Sequence, residues 1–157
     1  MNATDLMLGD YVQVEDDEGK LFTDCVCDIG YVPQWNELGI KTIEGGNEWI
    51  SESEIVPLSL TKEIIEKNFT LNKKHQEQFG ANHCFYYSII PKCSSGIWNL
   101  VWIEGNNENY LTIEDDPLIR MKYVHELQHA LKLCRINKEI VLEQTLCLDN
   151  IAHNRIT

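Results

Sequence analysis

Apolar and polar positions alternate with a period of two through most of the first sixty residues, and a helical period of 3.6 takes over in only two later stretches. Tyr11-Val12-Gln13-Val14 alternates behind a Gly9-Asp10 turn and predicts a half-buried strand. Glu15-Asp16-Asp17-Glu18-Gly19 then reverses the chain. Residues Leu21 to Val32 predict a second β stretch, which Pro33-Gln34-Trp35-Asn36 breaks, and Leu38 to Ile43 a third. Gly45-Gly46 turns that third strand into Glu48-Trp49-Ile50. Short strands punctuated this often predict a small antiparallel β-barrel-like module, SH3-like in size, over residues 1–60.

Residues 61–82 predict a short helix and a connecting loop. Thr61 is the candidate N-cap, Glu63 falls in the first turn, Ile64 and Ile65 supply an apolar side, and Asn68 can end the helix. The polar run 70–82 predicts loop. From residue 83 onward, Cys84 to Ile90, Trp98 to Ile103 and Tyr110 to Ile113 predict three strands of an antiparallel meander rich in aromatics. Asp116 and Pro117 then look like an N-cap and a first helical residue, so a helix is predicted over 117–134, with Lys138 to Leu142 returning as a strand. The fold class expected is α+β: an SH3-like N-terminal module, then a β-meander packed against one long helix in residues 83–157.

Composition bounds this picture without naming a function. With 43% hydrophobic and 24% charged residues in 157, the chain reads as globular. No apolar run approaches the roughly 18–20 residues that cross a bilayer, so no membrane partner is expected. Met1-Asn2-Ala3-Thr4-Asp5 has neither the basic start nor the apolar run of a secretory signal, which points to the cytoplasm. In that compartment the six cysteines, at 25, 27, 84, 93, 134 and 147, are expected to be reduced and mostly buried, and Cys25-x-Cys27 lacks the spacing of a zinc knuckle.

Charge is unevenly spread. Residues 1–60 hold 13 acidic and 2 basic side chains, whereas residues 61–157 hold 12 and 11, so the net −12 belongs almost wholly to the first module. Such a field repels phosphate backbones and is suited to a basic protein partner, or to imitation of nucleic acid.

The one catalytic-looking motif is His125-Glu126-x-x-His129. Two histidines four apart share a helix face and can share a metal, and the Glu beside the first can take a proton from metal-bound water. On a helical wheel, however, Tyr123, Val124, Leu127, Ala130, Leu131 and Cys134 gather opposite the two histidines, which places His125 and His129 beside Lys132 on the polar side. A catalytic zinc also needs a third protein ligand. Extended zinc-peptidase patterns would put Gly at 132 and His at 135, where Lys132 and Arg135 stand. Glu139 and Glu143 fall on a predicted turn and strand, and Asp149 and His153 on a weakly patterned tail.

Three stretches carry a family resemblance: Asp5-Leu6-Met7-Leu8-Gly9-Asp10-Tyr11-Val12, Ile55-Val56-Pro57-Leu58-Ser59-Leu60-Thr61-Lys62-Glu63-Ile64-Ile65, and Tyr123-Val124-His125-Glu126-Leu127-Gln128. Through these, residues 1–143 resemble a family of small uncharacterised proteins of gut Bacteroidetes, often encoded in prophages and other mobile elements. That family's long helix usually reads Val-His-Gln-Leu-Gln, so Glu126 stands where Gln is frequent, and position 129 varies. The resemblance thus implies no shared zinc chemistry. Relatives tend to carry Gly after this helix, in the region of Arg135, and the tail after Glu143 is additional.

The function expected is that of a non-enzymatic interaction or accessory protein of a mobile element, without a cofactor, binding an unknown and basic protein rather than nucleic acid. Two alternatives stay open. One is a small zinc-dependent hydrolase with His125 and His129 as ligands, Glu126 as base, and Glu143, Asp149 or His153 completing the site. The other is an acidic DNA-mimic inhibitor.

Overall fold

The alternation of the first sixty residues becomes a five-stranded antiparallel sheet. A computed structural model describes residues 1–16, 18–72, 77–79, 82–89, 98–104, 108–113 and 116–142. Strands β1 (Tyr11–Glu15), β2 (Leu21–Val32), β3 (Glu37–Thr42), β4 (Ile50–Ser51) and β5 (Ile55–Pro57) lie in the order β4-β3-β2-β1-β5. The first four are consecutive neighbours, and β5 folds back beside β1. A 3-10 turn at Glu52–Glu54 makes that return possible. Ser51 opens it with a capping box, its hydroxyl accepting from the Ser53 amide while Glu54 accepts from the Ser51 amide.

Period two decides which side chains go inside. Val12 and Val14 of β1 are buried with Val26, Ile40 and Ile55, and Ala3 and Leu6 from the N-terminal segment close the same cluster. A bulge at Cys27, between the pairs Val26–Thr42 and Asp28–Lys41, resets the alternation of β2 so that Ile29 faces Ile40 and the core. The Asp24 carboxylate, nearly inaccessible, accepts from the backbone amides of Cys25, Glu44 and Gly45 and so pins the turn that leaves β3.

The chain divides into two compact units: residues 1–60 with 121–133, and residues 61–120 with 134–157. Helix α1 (Lys62–Asn68) belongs to the second, and Thr61 caps it as the sequence indicates, its Oγ1 accepting from the Ile64 amide at 3.4 Å. There follow β6 (Thr70–Leu71), β7 (Glu77–Phe79), β8 (Asn82–Ile89), β9 (Trp98–Ile103), β10 (Glu108–Ile113) and β11 (Asp116–Met121), ordered β11-β10-β9-β8-β6 with β7 also on β8. Tyr87, Leu100 and Leu111 are fully buried in this unit. Helix α2 (Val124–Leu133) lies with the first unit. The whole is an α+β arrangement of two antiparallel sheets with two helices among the described residues.

Four expectations need correction. The helix predicted over 117–134 is only α2, and 116–121 is strand β11. Pro117 suits a helix start, but β11 ends its sheet, and an edge strand tolerates a residue without an amide hydrogen. The helix expected to pack on the meander belongs instead to the unit built by the N-terminal sheet, because the side chains of its last two turns bond to residues 8–11. The polar run 70–82 is not all loop, since β6 and β7 pair with β8. The strand expected over 138–142 is absent: Asn68 binds the Val141 backbone on both sides, its amide nitrogen donating to the carbonyl at 3.0 Å and its oxygen accepting from the amide at 2.8 Å. Those side-chain bonds replace a ladder.

Beyond the end of α2, Arg135 adopts φ of +55°, a left-handed conformation that costs residues with a Cβ roughly 1–2 kcal/mol. Helices commonly end on a glycine in this conformation. Arg135→Gly should therefore raise stability by about 0.5–1 kcal/mol, the relief of strain being partly offset by the freer unfolded chain. Urea denaturation measures it, and a loss of stability would mean that the Arg135 side chain contributes more than its backbone costs.

Candidate functional site around the histidine pair

Helix α2 enters through its own Glu126. The carboxylate turns back and accepts from the backbone amides of Lys122 and Tyr123, satisfying donors that a helix start leaves without partners. The same approach is tied to the preceding chain. Val124 donates to the Leu58 carbonyl at 2.9 Å, Leu60 donates to the Lys122 carbonyl at 2.9 Å, and Ser59 bridges to Tyr123.

Further along the helix, three polar side chains bind residues 8–11. Gln128 acts through both ends of its amide, donating to the Gly9 carbonyl at 2.9 Å and accepting from the Tyr11 amide at 3.1 Å. His129 Nε2 donates to Asp10 Oδ2 at 2.6 Å. Lys132 donates to the Leu8 carbonyl at 3.3 Å and stands 3.8 Å from Asp10 Oδ1.

Asp10 is the centre of this arrangement. Gly9, with φ of +90°, makes the turn that only a residue without a Cβ takes freely, and the turn delivers an Asp10 carboxylate that is wholly inaccessible. Oδ2 also accepts from the Met7 amide at 2.7 Å, while Oδ1 has no hydrogen-bond partner. In the sequence Gly9-Asp10 has the signature of a turn alone; the one signal of a further role is an acid placed at the mouth of a half-apolar strand.

The wheel put His125 and His129 on a polar face, but both are covered. His125 is 5% exposed, and His129 is half-buried. The His125 ring stacks on Tyr123 with centroids 5.7 Å apart and meets His129 edge-on at 5.8 Å. Its Nδ1 is enclosed without a partner. Burial holds the His125 pKa below its ordinary 6.5, against the opposing pull of Glu126 and Asp10. Beside the pair lies a cleft of 650 Å³ lined by His125, His129, Glu126, Tyr123 and residues of the N-terminal segment.

The described residues alone do not assemble a set of zinc ligands. The Glu126 carboxylate already accepts from two backbone amides, and His129 Nε2 is bonded to Asp10, so that a metal would have to take the Nδ1 of that ring. Among the described residues no three His, Cys, Asp or Glu side chains are grouped to hold a metal ion. Of the third-ligand candidates, Glu139 is exposed, and Glu143, Asp149 and His153 lie outside the described residues. Burial, and then Asp24 and Asp10, push the Cys25 thiol up to about 11, which disfavours its thiolate.

No protein-family model matches the chain, and no curated protein or solved structure matches it significantly. Within the first unit, residues 7–11 and 58–60 are each bonded to residues 122–129.

Two measurements probe the site. Because the folded-state pKa of His125 is lowered, its contribution to stability is complete above 6.5 and is lost as pH falls from there through the lower folded value. Denaturation midpoints should therefore decline as pH falls below this point, and His125→Leu should remove part of the decline; an unchanged slope would mean that the ring is not held neutral. Asp10→Ala should cost roughly 1–3 kcal/mol by leaving the Met7 amide and His129 without their acceptor, and Asp10→Asn, which keeps one oxygen, should cost less. Equal losses in urea denaturation would show that the ionic part of the contact carries the effect.

Proposed function

We propose that this chain is a non-catalytic interaction protein, an accessory factor of a bacterial mobile element, whose first unit engages a basic protein in the cytoplasm. The supporting observation is how the first unit uses its acids. Asp10 and Asp24 are buried and engaged in hydrogen bonds, whereas Glu15, Asp16, Glu18, Asp28, Glu44 and Glu48 are exposed with Lys20 and Lys41 as the only basic residues among the first sixty. A one-signed surface of this kind speeds encounter with an oppositely charged partner and repels phosphate backbones.

The His-Glu-x-x-His stretch supports the same reading, since Glu126 and His129 are already employed in holding α2 to the chain around it. Strand order β4-β3-β2-β1-β5 with a 3-10 turn before β5 supports an SH3-like barrel for the first unit, a fold that serves to present loops and a curled sheet to partners. That no helix among the described residues is long and apolar enough to cross a membrane is compatible with this role.

Capture from a host lysate tests it. A partner should be retained at about 50 mM salt and released by about 500 mM, as screening shortens the reach of the acidic field. Partners displaced by duplex DNA would favour nucleic-acid mimicry instead. Stoichiometric zinc in protein purified without added metal, abolished by His129→Ala, would refute the non-catalytic reading.

A further inference from the structure

Antiparallel partners point their side chains to the same side of a sheet, so three rungs of the β2–β3 ribbon line one surface: Asp28–Lys41, Gly30–Gly39 and Val32–Glu37. This is the face opposite the core-directed Ile29–Ile40 pair. Its middle rung has no side chain on either strand, and two indoles lie there. A Cβ on Gly30 would come within 2.7 Å of the Trp49 ring, and one on Gly39 within 3.0 Å of the Ile50 carbonyl and a Val32 methyl and 3.3 Å of the Trp35 ring. The glycines form a floor on which Trp49 and Trp35 rest. Trp35 keeps 42% of its surface exposed.

A cation is already on this platform. Lys41 Nζ sits 4.7 Å from the centroid of Trp49. Carboxylates stand at both ends, Asp28 on the rung of Lys41 and Glu37 two rungs away, with exposed Glu48 next to Trp49 in sequence. At about 3.3 Å per residue, the two end rungs are about 13 Å apart, the distance between residues i and i+4 of an extended peptide.

Resting on the interaction reading above, we infer that the Trp35–Trp49 platform is the docking surface, and that it takes an extended segment of the partner bearing two arginine or lysine side chains four residues apart. The indole faces receive the cations, and Asp28 and Glu37 neutralise them. Lys41 is the built-in occupant that the partner's charge competes with. Bulk acidity alone would not select a spacing; this platform does.

The test uses the full chain and a fluorescein-labelled peptide of about nine residues, two arginines four apart in a Gly-Ser background, which spans the end rungs when extended. Fluorescence anisotropy should show saturable binding. Lys41→Gln should tighten it about threefold by removing the competing cation. Asp28→Asn with Glu37→Gln should weaken it about tenfold, and moving the arginines to adjacent positions should do the same. Circular dichroism establishes that each variant is folded, and Trp35→Leu, which keeps an apolar cover over Gly39, gives a second route to the same loss. Binding that is unaffected by the double carboxylate variant and by arginine spacing overturns the assignment, as does absence of saturable binding to both the natural chain and Lys41→Gln. Salt-sensitive capture of a basic partner persisting alongside either result leaves the interaction reading intact and sinks only this surface. Loss of such capture with peptide binding intact does the reverse.

Discussion

The contact between Asp10 and His129 decides where α2 sits on the first unit. A carboxylate with no access to solvent must find donors, and here they come from both sides of the sequence: the Met7 amide three residues earlier and an imidazole 119 residues later. Around that bond the neighbouring polar groups follow. Gln128 takes the backbone on either side of Asp10, and Lys132 reaches the carbonyl of Leu8. The apolar stripe of Val124, Leu127, Ala130 and Leu131 is buried, but apolar burial is non-directional. The polar turn supplies the direction.

That division explains what could be read from the sequence. Alternation located β1, β2 and β3 to within a residue or so, because a sheet with one buried face leaves its period in the order of the residues. Thr61 announced α1 because a cap is a local device. The failures were non-local. Asp116-Pro117 satisfies the local chemistry of a helix start and of an edge strand equally, and only pairing with β10 chooses. The Asn68 side chain takes the place of a ladder partner for Val141, 73 residues away, with no periodic trace. Asp10 was legible as a turn residue but not as the partner of His129. The helical wheel failed for His125 for a related reason: it describes one helix, and it is the Tyr123 ring and the N-terminal segment that cover the other side.

A five-residue match to a metal-binding signature therefore acquires a structural explanation. The Glu next to the first histidine stands three residues into α2, where it reaches back to the start of the helix, and the second histidine is spaced one turn on, where it meets Asp10 just ahead of β1. Both positions are dictated by the 3.6-residue repeat, which is also what spaces the ligands of a metallopeptidase. A shared geometric period suffices to produce the same letters. The acids of the first sixty residues divide along similar lines, Asp10 and Asp24 serving as buried acceptors while Glu15, Asp16, Glu18, Asp28, Glu44 and Glu48 form an exposed field.

The first unit is assembled from pieces of chain separated by residues 61–120. During synthesis, all five strands of its sheet leave the ribosome well before α2 exists, and the carboxylate at residue 10 then has no imidazole to meet. Bringing the pieces together closes a loop of sixty residues, whose entropic cost grows as the logarithm of its length, about 3–4 kcal/mol above the constant term. The nascent sheet must wait, incomplete, while the intervening stretch emerges and is free to organise itself. Order of translation and order of assembly are thereby uncoupled, and the earliest strands are the last to be locked.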